Sequence, residues 1–194
     1  MTNNPVVSLF VKGSNPTDIR FSGTGVFIAP TIILTCQHVV ATGKKWRAFV
    51  RSKHGDTLLN VEKVYSNAKY DFALLRTPEE IQFEFLKMYL GPPPLDQEVQ
   101  IWCPHEQKSP FKGILRYTQC ISEDQLEEVS YLITGASLKP GTSGSPVLFK
   151  NEILGMHYCI GVAKRNRHKS QCLPTKVIAE ILAKEGHRWM TSND

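Results

Sequence analysis

Three short segments of this chain hold residue types that could carry nucleophilic chemistry. Ser143 lies in Lys139-Pro140-Gly141-Thr142-Ser143-Gly144-Ser145-Pro146-Val147, a glycine-rich turn ahead of an apolar strand. His38 follows the apolar run Ile33-Leu34-Thr35-Cys36-Gln37 and precedes Val39-Val40. Asp71 heads the apolar run Phe72-Ala73-Leu74-Leu75. Singly, each has an ordinary explanation: a surface turn, a packed strand-end histidine and a turn acid. Together they supply the parts of acyl transfer: a hydroxyl nucleophile, a base to take its proton, and a carboxylate to orient the base. Gly141 permits the tight turn in which the N–H groups of Gly141 and Ser143 aim at one developing oxyanion. Gly144 lets another segment come close behind Ser143.

Strands must hold these residues. Short segments rich in Val, Ile, Phe and Tyr recur at Val6–Val11, Gly25–Ile28, Ile32–Thr35, Trp46–Arg51, Leu58–Tyr65 and Phe72–Leu75. Gly, Pro, Asn and Ser separate them, as in a barrel or sandwich. The stretch Glu79–Leu90 is less regular and runs into the stiff connector Gly91-Pro92-Pro93-Pro94. A second series follows at Val99–Cys103, Phe111–Ser122, Glu128–Thr134, Pro146–Phe149 and Ile153–Ile160. Val177, Ile178, Ile181 and Leu182 form a helical stripe over Thr175–Lys184, between Pro174 and Gly186. The expected organisation is an N-terminal β-unit over 1–90 carrying His38 and Asp71, and a C-terminal β-unit over 91–194 carrying Ser143 and the terminal helix.

In these segments the chain resembles the trypsin/chymotrypsin-like serine peptidases, in particular the compact branch of glutamyl endopeptidases and HtrA protease domains. Thr35-Cys36-Gln37-His38-Val39 is similar to that family's base motif, with Cys36 in the place of the usual alanine. Asp71-Phe72-Ala73-Leu74-Leu75 is similar to its acid motif, and Gly141-Thr142-Ser143-Gly144-Ser145-Pro146 to the segment around its nucleophile. The order His, Asp, Ser is the chymotrypsin order, not that of subtilisins or α/β-hydrolases. The resemblance covers nearly the whole chain. It implies an all-β fold of two six-stranded antiparallel barrels, with the catalytic residues His38, Asp71 and Ser143 (not Ser145) in the cleft and an oxyanion hole at Gly141 and Ser143. Thr142 stands where trypsin-type zymogens carry an activating acid, so activation by that ion pair is not expected.

The resemblance also implies walls for the pocket that receives the residue before the scissile bond: Ser137 and Leu138 on one side, His157, Tyr158 and Ile160 on the other. No acid stands near Ser137, which disfavours a preference for Arg or Lys. His157 in Gly155-Met156-His157 is similar to the histidine with which glutamyl endopeptidases and picornavirus-like proteases bind Glu or Gln. A plain packed histidine, with a pocket for large apolar residues, is the competing reading.

The composition sets outer bounds. With 194 residues, 41% of them hydrophobic and 21% charged, the chain can bury a full core without staples. No apolar run is long enough to span a bilayer, and Met1–Pro5 lacks the pattern of a secretory signal. Five cysteines in no paired spacing read as reduced thiols, and a cytoplasmic location is expected. The formal charge of +5 is modest, and the cluster Lys164–Lys169 reads as a solvated loop, so nucleic acid is not an expected partner. The expected partners are a peptide or protein substrate and a regulating protein, with no membrane. Cys36-Gln37-His38, Cys103-Pro104-His105 and His157-Tyr158-Cys159 offer zinc-type ligands, but no Cys-x-x-Cys pair exists, and neither metal nor cofactor is expected. A catalytically silent or latent binding module on this fold, one version of which contacts nucleic acid through the basic loop, is the alternative to an enzyme.

Overall fold

The structure is a computed structural model and describes residues 5–12, 19–42, 45–52, 55–78, 83–103, 110–121, 127–136, 138, 141–160 and 169–187. Two closed antiparallel barrels of six strands make up most of it. The first is built from β1 (Val6–Lys12), β2 (Ile19–Ala29), β3 (Ile32–Thr35), β4 (Trp46–Ser52), β5 (Gly55–Asn67) and β6 (Phe72–Arg76). These close in the order β1-β2-β3-β6-β5-β4. The second holds β7 (Glu98–Ile101), β8 (Phe111–Ile121), β9 (Glu127–Thr134), β10 (Pro146–Phe149), β11 (Glu152–Ile160) and β12 (Lys169–Pro174), closing as β10-β11-β12-β9-β8-β7. One helix, α1 (Thr175–Lys184), follows. The barrel expectation therefore holds, and β3, β10 and α1 have the expected bounds.

Closure removes the free edges that an open sheet would expose. In β3 and in Phe72–Leu75 of β6 every residue is buried. One face of each fills the barrel, and the other is covered from outside. An apolar cluster runs from Leu9, Phe27 and Leu74 of the first barrel through Ile153 and Met156 of the second to Ile178 and Leu182 of α1. The helical stripe is thus used to seal the two barrels together. A second cluster, with Val99, Ile101, Leu115 and Ile133, fills the other barrel.

The connector forms no regular element over 83–97, yet its backbone is tied to both barrels. Leu86 N–H donates to Phe27 O at 3.0 Å, and Tyr89 N–H to Ile153 O at 2.8 Å. Phe83 stacks on Phe27 with ring centroids 4.6 Å apart. The strand β12 differs from expectation. The run up to Lys169 was expected to be a loop, but Lys169 begins a strand that pairs with β9 and β11. Its inward positions include Ser170, a buried polar residue, so the apolar alternation that marks a strand is broken there. The rest of the basic cluster lies outside the described residues.

Candidate active site

The hairpin β2–β3 and strand β6 set the first half of the site. β3 runs beside β6 with Thr35 opposite Ala73, so the residues after β3 meet those before β6. Past β3 the chain turns into one turn of 3-10 helix, His38–Val40, with Val39 and Val40 buried beneath it. That turn exposes the His38 imidazole while fixing its backbone. Asp71 enters β6 with φ of 52°, a left-handed conformation that Asp tolerates better than most residues. Its carbonyl accepts from Gln37 N–H at 3.1 Å. Its carboxylate accepts from His38 N–H at 2.9 Å, and the other oxygen lies 2.6 Å from His38 Nδ1. Both oxygens are thus committed to one residue. The hydrogen bond to Asp71 raises the His38 pKa above its ordinary 6.5, outweighing the partial burial that pulls the other way. Nδ1 carries the proton and Nε2 is left as the basic atom.

Ser143 comes from the turn before β10. Gly141 and Gly144 adopt φ of 96° and 86°, the left-handed region open to glycine. The turn is docked on the first barrel: Thr24 N–H donates to Ser143 O at 2.8 Å, and Thr24 Oγ1 to Gly141 O at 3.4 Å. A β-carbon on Gly144 would overlap the Thr24 carbonyl oxygen and stand 2.7 Å from Thr35 Oγ1. One on Gly23 would stand 2.7 Å from Val39 Cγ2 and 3.0 Å from Ser143 O. The serine turn and the residue after His38 therefore abut the same glycine. Ser143 is half-buried, and the described contacts include no bond from Ser143 Oγ to His38, as is common without substrate. Among the described residues, the N–H groups of Gly141 and Ser143 have no acceptor.

His157 on β11 is buried behind this turn. Its backbone accepts from Gly144 N–H at 2.8 Å and donates to Ser145 O at 2.9 Å. Nδ1 lies 2.6 Å from Ser170 Oγ and 3.1 Å from Gln171 O. Nε2 is buried without a partner among the described residues. Burial pushes the His157 pKa down to about 4, so the ring is neutral at physiological pH. Tyr158 is half-buried, with its hydroxyl 3.4 Å from Gln171 Oε1. Leu138 is packed into the second barrel's core. Ile160 ends β11 opposite Ser170, and Ser137 lies outside the described residues.

Composition alone did not point to Thr24, Thr35 or Ser170, which tie the turn and the buried histidine in place. Buried hydroxyls leave no periodic mark in a sequence. Cys36 is buried too, and its thiol donates to His157 O at 3.3 Å across the barrel interface. Burial and the Asp71 charge push its pKa up, which keeps it a thiol. The donor atoms of Cys36, His38 and Asp71 lie within 4.8 Å of one another. Their own bonds already use them: Cys36 to His157, and His38 to Asp71. Cys103, a second thiol considered for metal, lies 3.6 Å from Thr24 Oγ1, and His105 lies outside the described residues.

Solved structures share this arrangement of barrels. The protease domain of MamO from Magnetospirillum magneticum superposes with a TM-score of 0.72 at 17% identity, over 92% of this chain and 95% of that one. The active form of the Rv3671c protease from M. tuberculosis gives 0.72 at 22% identity, over 95% of this chain and 82% of that one. The HtrA-type protease AlgW, solved with a decapeptide, gives 0.73 at 18% identity, over 96% of this chain and 66% of that one. At such identities the likeness speaks for fold alone. No curated protein matches the sequence. The trypsin-like peptidase domain is matched in sequence over residues 23–156, a span from beside Thr24 to the residue before His157, and the chain belongs to that family.

Proposed function

We propose that the chain is a serine endopeptidase using His38, Asp71 and Ser143. The observation that carries this reading is the doubly anchored His38–Asp71 pair, with the Nδ1–Oδ2 contact at 2.6 Å, beside the docked serine turn. His38 Nε2 takes the Ser143 proton as Oγ attacks the scissile carbonyl. It then returns that proton to the leaving amine. Asp71 holds the tautomer and stabilises the imidazolium. The N–H groups of Gly141 and Ser143 receive the oxyanion, each worth on the order of 10²–10³ in rate. The acyl-enzyme is released by water activated at the same Nε2.

His157 points the reading toward substrates with Gln or Glu before the scissile bond. The neutral ring suits Gln best. The Gln amide is both donor and acceptor, so it satisfies Nε2 whichever tautomer Ser170 and Gln171 favour. A carboxylate is satisfied only by an Nε2 that carries a proton. Regulation by a partner protein, and a cytoplasmic location, belong to this proposal and not to the geometry. No helix among the described residues is long and apolar enough to cross a membrane. Cleavage of a peptide library by the wild type, Ser143→Ala and His157→Ala tests the reading. Activity lost in Ser143→Ala, and a Gln preference lost in His157→Ala, support it. Cleavage surviving in Ser143→Ala overturns it.

A further inference from the structure

On the first barrel, sharing no lining residue with the serine turn, an open cavity of about 510 Å³ lies where the end of β1, the start of β4 and the middle of β5 meet. Lys12, Lys45, Arg47 and Lys63 line it, with Glu62 as the single acid. The Lys12 N–H donates to the Lys45 carbonyl at 3.0 Å, which holds the ends of β1 and β4 together at this rim. Among the described residues, none of the four cations is in an ion pair. Trp46 also lines the cavity, 9% exposed, and its indole N–H is buried without an acceptor. Lys63 Nζ lies 5.2 Å from the centre of that ring.

All the unsatisfied cationic and indole groups here are donors. Four like charges around one concavity repel one another, and a low-dielectric wall concentrates their field. The repulsion among the cations is relieved by one kind of ligand, an acceptor-only anion of high charge. The volume lies within the ~300–1,000 Å³ usual for small-molecule sites. An extended acidic peptide spreads its charges along its backbone and matches a groove better than a cavity. Arg47 supplies the planar fork suited to a phosphate.

We infer that this cavity binds a compact anion carrying several phosphate groups. The site is separate from the proposed peptidase chemistry, and Ser143→Ala is expected to bind such an anion as the wild type does. The test is titration of the full chain with inorganic tripolyphosphate at low and moderate salt, read by calorimetry and by tryptophan fluorescence. The expected result is saturable 1:1 binding that weakens with salt. Lys45→Glu with Arg47→Glu should reduce affinity at least tenfold. Lys176→Glu paired with Lys87→Glu makes the same change in net charge on exposed residues elsewhere and should leave it within about twofold, since distant exposed charges are screened. Trp46→Phe, checked for folding by its thermal transition, should weaken binding and abolish the fluorescence change. Equal losses in the two charge-reversed pairs would assign the binding to overall charge and overturn the site. So would tighter binding of an acidic peptide or an RNA oligonucleotide than of tripolyphosphate, or no saturable binding at low salt.

Discussion

Replacing Gly144 by alanine tests how the two barrels jointly build the site. At φ of 86° an alanine pays about 1–2 kcal/mol of backbone strain. Its β-carbon would also overlap the Thr24 carbonyl, a backbone atom of the other barrel that is already held by Thr35 Oγ1 at 2.7 Å. Relief requires the turn to lift away. That breaks or lengthens the bonds Thr24 N–H to Ser143 O and Gly144 N–H to His157 O, each 2.8 Å long. At about 0.5–1.5 kcal/mol per bond, the contact adds about 1–3 kcal/mol to the strain. The sum is about 2–5 kcal/mol. Gly186 offers the control: its φ is 81°, and a β-carbon there meets nothing within 4 Å. Gly186→Ala should carry the strain alone. Thermal and urea unfolding of both variants give the two numbers, and their difference isolates the barrel contact. At about 2–4 °C per kcal/mol for a chain of this size, Gly144→Ala should melt several degrees below Gly186→Ala. It should also lose reactivity at Ser143, while Gly186→Ala keeps it. Equal melting temperatures for the two variants, with reactivity kept in both, would refute the docking of the serine turn on Thr24.

Further outcomes follow from the same contacts. Asp71→Asn should cut peptidase turnover by about 10³–10⁴, because the His38 tautomer is lost, measured as kcat on a cleaved peptide. Activity in the wild type should fall as pH drops through a midpoint above 6.5, where His38 takes a proton on Nε2; Asp71→Asn should move that midpoint down, seen in a kcat/KM profile. His157 has the opposite sign: its folded pKa of about 4 lies below the unfolded 6.5, so the unfolded chain binds more protons and stability falls as pH drops from about 6.5 to about 4, by about 3 kcal/mol. His157→Gln should flatten that part of a urea-unfolding pH series. Ser170→Ala should lower kcat/KM for Gln substrates while leaving hydrolysis of an apolar substrate nearly unchanged, because its hydroxyl touches only the ring of the recognition histidine in this reading.

Much of this was legible in the residues because the signals were local. Ile32–Thr35 and Pro146–Phe149 are short apolar runs between turn formers, and both are strands with those bounds. Thr175–Lys184 shows helical spacing at Ile178 and Leu182, and both are buried. The base and acid segments placed His38 after one strand and Asp71 before another, and the fold pairs those two strands. What stayed hidden depended on contacts between distant segments. β12 was obscured because Ser170 turns inward to meet His157, a partnership across hairpin register that no single run displays. Thr24 looked like one more small residue in a glycine-rich strand, yet it carries the serine turn of the other barrel. The cationic cavity was equally invisible, since Lys12, Arg47 and Lys63 sit on three separate strands.

The central claim is that Ser143 is an activated nucleophile. The direct measurement is labelling of the purified chain with a fluorophosphonate probe, beside Ser143→Ala, with no partner added. Labelling of the wild type at Ser143, absent in Ser143→Ala and reduced in Asp71→Asn, is the predicted result. A wild type that stays unlabelled, or labelling that persists in Ser143→Ala, would contradict it.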